Sequence, residues 1–178
     1  MLPQLFREAS EPTASRPHMP GYGLLEADSG RGLLPWNWAT ERLSQARTYW
    51  LSTTRADHRP HAMPIWGVCM NSVFCFTTGE RSRKARNLDG LPYCVVGVEA
   101  GDESVILEGV VWVSDDGEAR RAFAATYGPK YHWNMDTFSD PVRVVCPAVA
   151  YGFSAATDEF TGSATRWTFP ATEWNRLP

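Results

Sequence analysis

No apolar stretch in this chain approaches the ~20 residues that a membrane-spanning helix needs. The amino terminus, "MLPQLFREASEPTASRPHMPGYG", lacks a basic start followed by an apolar core, so it does not read as a secretion signal. Both absences predict a cytoplasmic protein with no membrane partner. Positive charge is also scarce: 17 Lys and Arg stand against 20 Asp and Glu, for a net charge of -3. Proteins that live on nucleic acid usually carry a strongly basic domain, so no nucleic-acid partner is expected. The four cysteines, Cys69, Cys75, Cys94 and Cys146, form no C-x-x-C pair, which removes zinc-ribbon and thioredoxin-type chemistry. Three lie in the apolar runs "VCM", "VFCF" and "YCVV" and read as buried free thiols of a reducing compartment. No G-x-S-x-G elbow is present and no G-x-G-x-x-G follows a strand. Serine-hydrolase chemistry and a Rossmann nucleotide site therefore have no anchor.

What is present is a chain of 178 residues with 12% aromatics, including 8 Trp, enough to bury a core without staples. Residues 1–34 are rich in Pro, Gly and Ser without a sustained period and predict an irregular arm. Residues 35–178 predict a single domain. "LLPWNWATERLSQAR" reads as a helix over 36–46, started by Pro35. "TYWLSTTR", "PHAMPIWGVCM" and "VFCFTT" read as three strands of an antiparallel meander, turned by "ADHR" and "NS". Pro64 inside the second strand implies an edge or a bulge. "RSRKARNLDG" predicts a short helix closed by Gly90. "LPYCVVGVE" and "SVILEGVVWVS" are strands, the latter with Gly109 as a bend or bulge. "DDGEARRAFAATYG" is a helix ended by Gly128. "PVRVVCPAVAYGFS" is a strand interrupted at Pro147, or two short ones, and "SATRWTFP" is the last strand. The fold class is mainly β: six or seven antiparallel strands in a small barrel, decorated by two or three short helices.

One stretch stands apart, "FTTGERSRKARNL". A strand ends at Thr77, Thr78 and Gly79, and the next helix begins near Ser82. A helix N-terminus offers unpaired N–H groups and a positive dipole end. Arg83 and Lys84 fall in its first turn, where cations oppose the dipole. A bound anion turns that conflict into an attraction, and phosphate suits Arg and Lys together. The alternatives are a solvated basic face and a short nucleic-acid patch, the latter opposed by the acidic balance.

These residues, with "YWLSTTRADHRPHAMPIWGV" before them and "VILEGVVWV" after, resemble the FMN-binding split-barrel superfamily, which includes pyridoxamine 5′-phosphate oxidase and its deazaflavin-dependent relatives. The resemblance runs from "WNWATERL" to "ATRWTF". It implies a split barrel that pairs as a homodimer, with the cofactor in a groove between subunits. It implies a phosphate held by Thr77, Thr78, Ser82, Arg83 and Lys84, with Asn87 in the same motif. It places His61, Met63, Pro64, Ile65 and Trp66 on the strand beside the flavin ring. "ARNL" with "PIWGV" resembles the branch that uses F420, and FMN is the alternative, since both share a ribityl phosphate arm. No substrate-phosphate site of the oxidase itself can be traced. The implied activity is hydride transfer between bound F420 or FMN and a small organic substrate. The alternatives are a flavin or F420 carrier or sensor without turnover, and a haem-binding barrel with His61 or His132 as axial ligand.

Other candidates are weaker. His58 and His61 form an H-x-x-H whose side chains diverge and lack a third ligand, so no metal site is predicted. Trp66, Trp112, Trp133 and Trp167 could stack on a planar ligand or belong to the core. Arg166 and Trp167 resemble positions bordering the cofactor, and His132 is a candidate pocket residue. No catalytic acid is assigned. The arm is a candidate cover for a neighbouring subunit's groove.

Overall fold

Burial alternates along residues 49–54, 93–98 and 165–168, as strands with one face on a core require. The computed structural model describes residues 11–70, 72–136, 138–154, 160–172 and 175. The described elements, in order, are β1 (Thr13–Ser15), α1 (Trp36–Gln45), β2 (Tyr49–Thr54), β3 (Pro60–Ile65), β4 (Gly67–Met70), β5 (Val73–Phe76), α2 (Arg83–Gly90), β6 (Tyr93–Ala100), β7 (Glu103–Ser114), α3 (Gly117–Tyr131), β8 (Val142–Ser154), α4 (Phe160–Ser163) and β9 (Thr165–Thr168). Every described strand pairing is antiparallel. The main path runs β1-β9-β8-β7-β6-β2-β3, with the β4–β5 hairpin joined to β8 through β5. Strand β8 is thus the spine: β7 lies along one side, while β5 and then β9 share the other.

Two cores follow. The larger gathers Leu51, Phe74, Phe76, Val96, Leu107 and Trp167 inside the barrel, closed by Ala39 and Leu43 of α1. The second packs Ala119, Phe123, Tyr127 and Tyr131 of α3 on Val142, Val144 and Cys146. Of the three cysteines in the apolar runs, Cys75 and Cys94 are buried and Cys69 is half-buried. Burial pushes the Cys69 and Cys94 thiols up to about 12 and the Cys75 thiol well above its ordinary value, so all three stay protonated. No helix among the described residues is long and apolar enough to cross a membrane.

Several local expectations shift. The strand "PHAMPIWGVCM" divides at Trp66 into β3 and β4. Gly67 donates its N–H to the Tyr131 hydroxyl (2.9 Å), which donates back to the Gly67 carbonyl (2.8 Å), so a side chain takes both ladder groups. Helix α3 continues through Gly128 and Pro129 and ends at His132 in the left-handed region, φ 54°. Its last turn is held by Tyr131 and by Lys130, whose Nζ donates to the Tyr49 hydroxyl (2.7 Å). Strand β8 runs unbroken through Pro147. The register slips by one residue between Glu108 and Gly109 opposite it, the bulge foreseen at Gly109. A Cβ on Gly109 would lie 2.5 Å from the Cys146 carbonyl oxygen, so no other residue fits.

The described part of the arm is tied to its own chain. Strand β1 pairs with β9. Arg16 donates to the carbonyls of Ala164 (2.8 Å), Gly162 (2.9 Å), Leu25 (3.0 Å) and Glu26 (3.1 Å), stitching the arm onto α4 and the start of β9.

Candidate functional site

The site is assembled where β5 hands over to α2. The Ser82 N–H donates to the Gly79 carbonyl (2.9 Å), which folds the "TTGERS" turn. Ser82 is the N-cap: its Oγ accepts from the Ala85 N–H (3.2 Å) and lies 3.2 Å from the Thr78 hydroxyl. Thr78 is buried and Thr77 half-buried, its hydroxyl 3.5 Å from the Pro141 carbonyl. The first turn carries no acid. It carries Arg83, exposed, and Lys84, half-buried, whose ammonium is pulled below its ordinary value by desolvation. Neither has a carboxylate partner among the described residues.

Ala85 and Leu88 turn inward to seat α2 against β2, and Asn87 locks it there. The buried Asn87 amide donates to Thr53 Oγ1 (2.9 Å). Thr53 Oγ1 in turn lies 3.4 Å from the His61 carbonyl and 3.5 Å from His61 Nδ1. One chain of hydrogen bonds thus joins α2, β2 and β3. Desolvation, then Arg55, Lys84 and Arg83, hold His61 below the ordinary histidine range. His61 therefore lies within the field of the basic cluster, which gathers from two parts of the fold.

Strand β3 ends the sheet path, so its outer edge is open among the described residues. Pro64 fits there because it has no N–H to donate. Met63 and Pro64 are exposed, while Ile65 sends its side chain into the core and offers a ligand only main chain. Trp66 follows, 43% exposed and stacked on Tyr131 at 4.7 Å and 5°. Trp133, 59% exposed, meets Trp66 edge-on at 6.2 Å and 75°. From His61 to Trp66 the chain spans roughly 16 Å at the usual strand rise. A basic helix start lined by hydroxyls at one end and an indole corner at the other are joined by an open strand edge.

The remaining candidates fall elsewhere. His58 is exposed, at φ 62° in the hairpin turn, and His132 is exposed at the end of α3. Trp167 is fully buried against Trp36, and Trp112 packs on the second core. Arg166 bonds to Thr168 on the exposed side of β9. Among the described residues no three His, Cys, Asp or Glu side chains group as a metal site would require. A cleft of about 510 Å³ opens near the start of β2, lined by Glu41, Arg42, Arg47, Glu99 and Glu103 among others. Its arginines are engaged, Arg42 in a fork on Glu103 (2.8 and 2.7 Å) and Arg47 on the Lys130 carbonyl (2.8 Å). The residue that motif reading missed is Arg55, whose Nε is buried without a hydrogen-bond partner among the described residues.

The sequence profile of the family described as pyridoxamine 5′-phosphate oxidase matches residues 39–148. No curated protein matches the sequence significantly. Among solved structures, an F420 reductase is 22% identical over 62% of this chain and 93% of its own, with a TM-score of 0.53. A conserved hypothetical protein from Mycobacterium tuberculosis is 16% identical over 80% and 93%, with a TM-score of 0.61. A heme binding protein from Mycobacterium smegmatis is 13% identical over 70% and 59%, with a TM-score of 0.58. At these identities the likeness is one of fold.

Proposed function

This chain belongs to the pyridoxamine 5′-phosphate oxidase family, and from that premise we propose that it is an oxidoreductase passing a hydride between bound F420, or FMN, and a small organic substrate. The observation that carries the reading is the first turn of α2. Ser82 caps it, Arg83 and Lys84 oppose its dipole, and no described carboxylate relieves them. A phosphate bound there satisfies the N–H groups, the hydroxyls and both cations at once. F420 and FMN share that phosphate arm, and the F420 reductase among the structural neighbours favours the deazaflavin.

In this reading the cofactor ring lies along the open edge of β3, from His61 past Met63 and Pro64 to Trp66. The group supplies the two-electron chemistry when bound, and the protein holds its phosphate, orients its ring and excludes water. A second copy of the chain completes the groove as a homodimer. It covers the exposed outer surface of β2 and β3, where Trp50 stands 54% exposed beside Pro64.

Turnover is tested by mixing protein and reduced F420 with a panel of electron-poor acceptors and following cofactor reoxidation by absorbance. The same is done with FMN and a separate reductant. Reoxidation faster than in protein-free controls, and lost in Lys84→Ala, supports the enzyme. A cofactor that binds tightly and reacts with no acceptor sinks it in favour of a carrier or sensor. In that second reading His61 serves the hydrogen-bonded network with Thr53 and Asn87 rather than proton transfer. A haem absorption band on reconstitution, abolished in His61→Ala or His132→Ala, would replace both.

A further inference from the structure

We infer that Arg55 is a third cationic ligand of the anion held at α2 and makes the site select a phosphorylated cofactor over its phosphate-free form. This inference rests on the phosphate reading given above. The β2–β3 hairpin carries two arginines, and the fold treats them oppositely. The turn is fixed by the Arg55 N–H on the Arg59 carbonyl (3.0 Å) and the His58 N–H on the Arg55 carbonyl (2.9 Å). Arg59 faces solvent and forks onto Asp57 Oδ2, with Nε at 3.0 Å and Nη2 at 2.8 Å, while its own N–H reaches Oδ1 (3.2 Å). That occupies the one carboxylate of the hairpin.

Arg55 is half-buried instead. Its Nε is shielded from solvent and meets no acceptor among the described residues. A buried donor without an acceptor is costly, and native folds rarely keep one without a reason. Arg55 stands two residues beyond Thr53, whose Oγ1 accepts from the amide of Asn87 of α2 (2.9 Å), and its charge bears on His61 together with those of Lys84 and Arg83. None of the three has a carboxylate partner among the described residues. An anion with several acceptor oxygens resolves the arrangement: Lys84, Arg83 and the Ser82 end of α2 take one side of a phosphate, and Arg55 takes an oxygen on the other. The planar fork of arginine suits that geometry, and its Nε–H has no counterpart in lysine.

The test compares dissociation constants of the full-length protein for FMN and riboflavin, and for F420 and its phosphate-free deazaflavin. The variants are Arg55→Gln, Arg55→Lys, Arg59→Gln and Lys84→Ala, each checked by circular dichroism. Arg55→Gln is expected to weaken the phosphorylated cofactor by about tenfold or more, the usual worth of a hydrogen bond to a charged group, and to leave the phosphate-free form unchanged. Arg55→Lys falls in between and keeps the fold if Gln does not. Arg59→Gln matches wild type. Phosphorylated-cofactor binding that Lys84→Ala weakens but Arg55→Gln does not overturns the inference and leaves the phosphate reading standing. An equal loss for both forms of cofactor also overturns it, reducing Arg55 to a structural residue of the hairpin. Wild-type protein that binds no phosphorylated cofactor overturns both.

Discussion

Helices α2 and α3 begin after strands in the same barrel, yet their ends are charged in opposite ways. Asp116 caps α3, accepting from the N–H groups of Glu118 (2.9 Å) and Ala119 (2.8 Å). Glu118 adds an acid to the first turn, and Lys130 puts a base in the last. Each charge suits the helix dipole. Helix α2 has Arg83 and Lys84 in its first turn and Asp89 near its end. Asp89 must be met by the buried Arg143 (3.0 Å). A helix arranged for its own stability looks like α3. Under the function proposed above, the adverse charge at the N-terminus of α2 is offset by a negative partner.

The largest effect should come from giving α2 the charges of α3. Lys84→Glu is expected to lower phosphorylated-cofactor affinity by about a hundredfold, as an attraction becomes a repulsion. The same change should raise the stability of the cofactor-free protein by about 0.3–1 kcal/mol through the dipole. Titration calorimetry and thermal melts read the two directions, and a loss of both would break the comparison. Asn87→Ala comes next. It leaves the buried Thr53 hydroxyl without its donor, so denaturant unfolding should show a loss of about 1–3 kcal/mol. Cofactor affinity should fall with it, because α2 loses its tie to β2 and β3.

The two caps give a matched pair. Ser82→Ala and Asp116→Ala should each cost about 1 kcal/mol of stability, but only Ser82→Ala should weaken the cofactor. Equal effects on binding would mean the α2 N-terminus is not special. The smallest signal is protonic. His61 titrates low because of desolvation and then the fields of Arg55, Lys84 and Arg83. A bound phosphate offsets those three charges, so the His61 pKa should rise in the complex. A group whose pKa rises on binding takes up protons, so affinity strengthens as pH falls through the His61 range. Imidazole NMR with and without FMN checks this, and an unmoved His61 would place the anion elsewhere.

Much of this was legible in the sequence because it rests on local chemistry. Pro35 and the helical recurrence of Trp38, Leu43 and Ala46 announce α1, and Ser82 with Gly90 frames α2 almost to the residue. The bulge at Gly109 could be anticipated from a glycine inside an apolar strand. What escaped depends on partners far along the chain. Trp66 divides a strand because the Tyr131 hydroxyl, 64 positions away from Gly67, takes both ladder groups. Helix α3 outlasts Gly128 and Pro129 because Tyr49 and Gly67 hold its last turn. The arm looked patternless, yet Arg16 fastens it to carbonyls around residue 164, and no local signal encodes that. In the candidate site, "SRKARN" and the β3 strand could be named from the motif. Arg55 could not, because only the folded hairpin decides which of its two arginines pairs with Asp57.

The central claim is that α2 is a phosphate site for a flavin-type cofactor. The most direct measurement is a titration of wild-type protein and Lys84→Ala with F420 and, separately, with FMN. The account predicts tight binding of at least one, with F420 favoured, and a weakening in Lys84→Ala of about tenfold or more. No binding of either cofactor, or the same affinity in both proteins, would contradict it and return the basic cluster to an ordinary solvated surface.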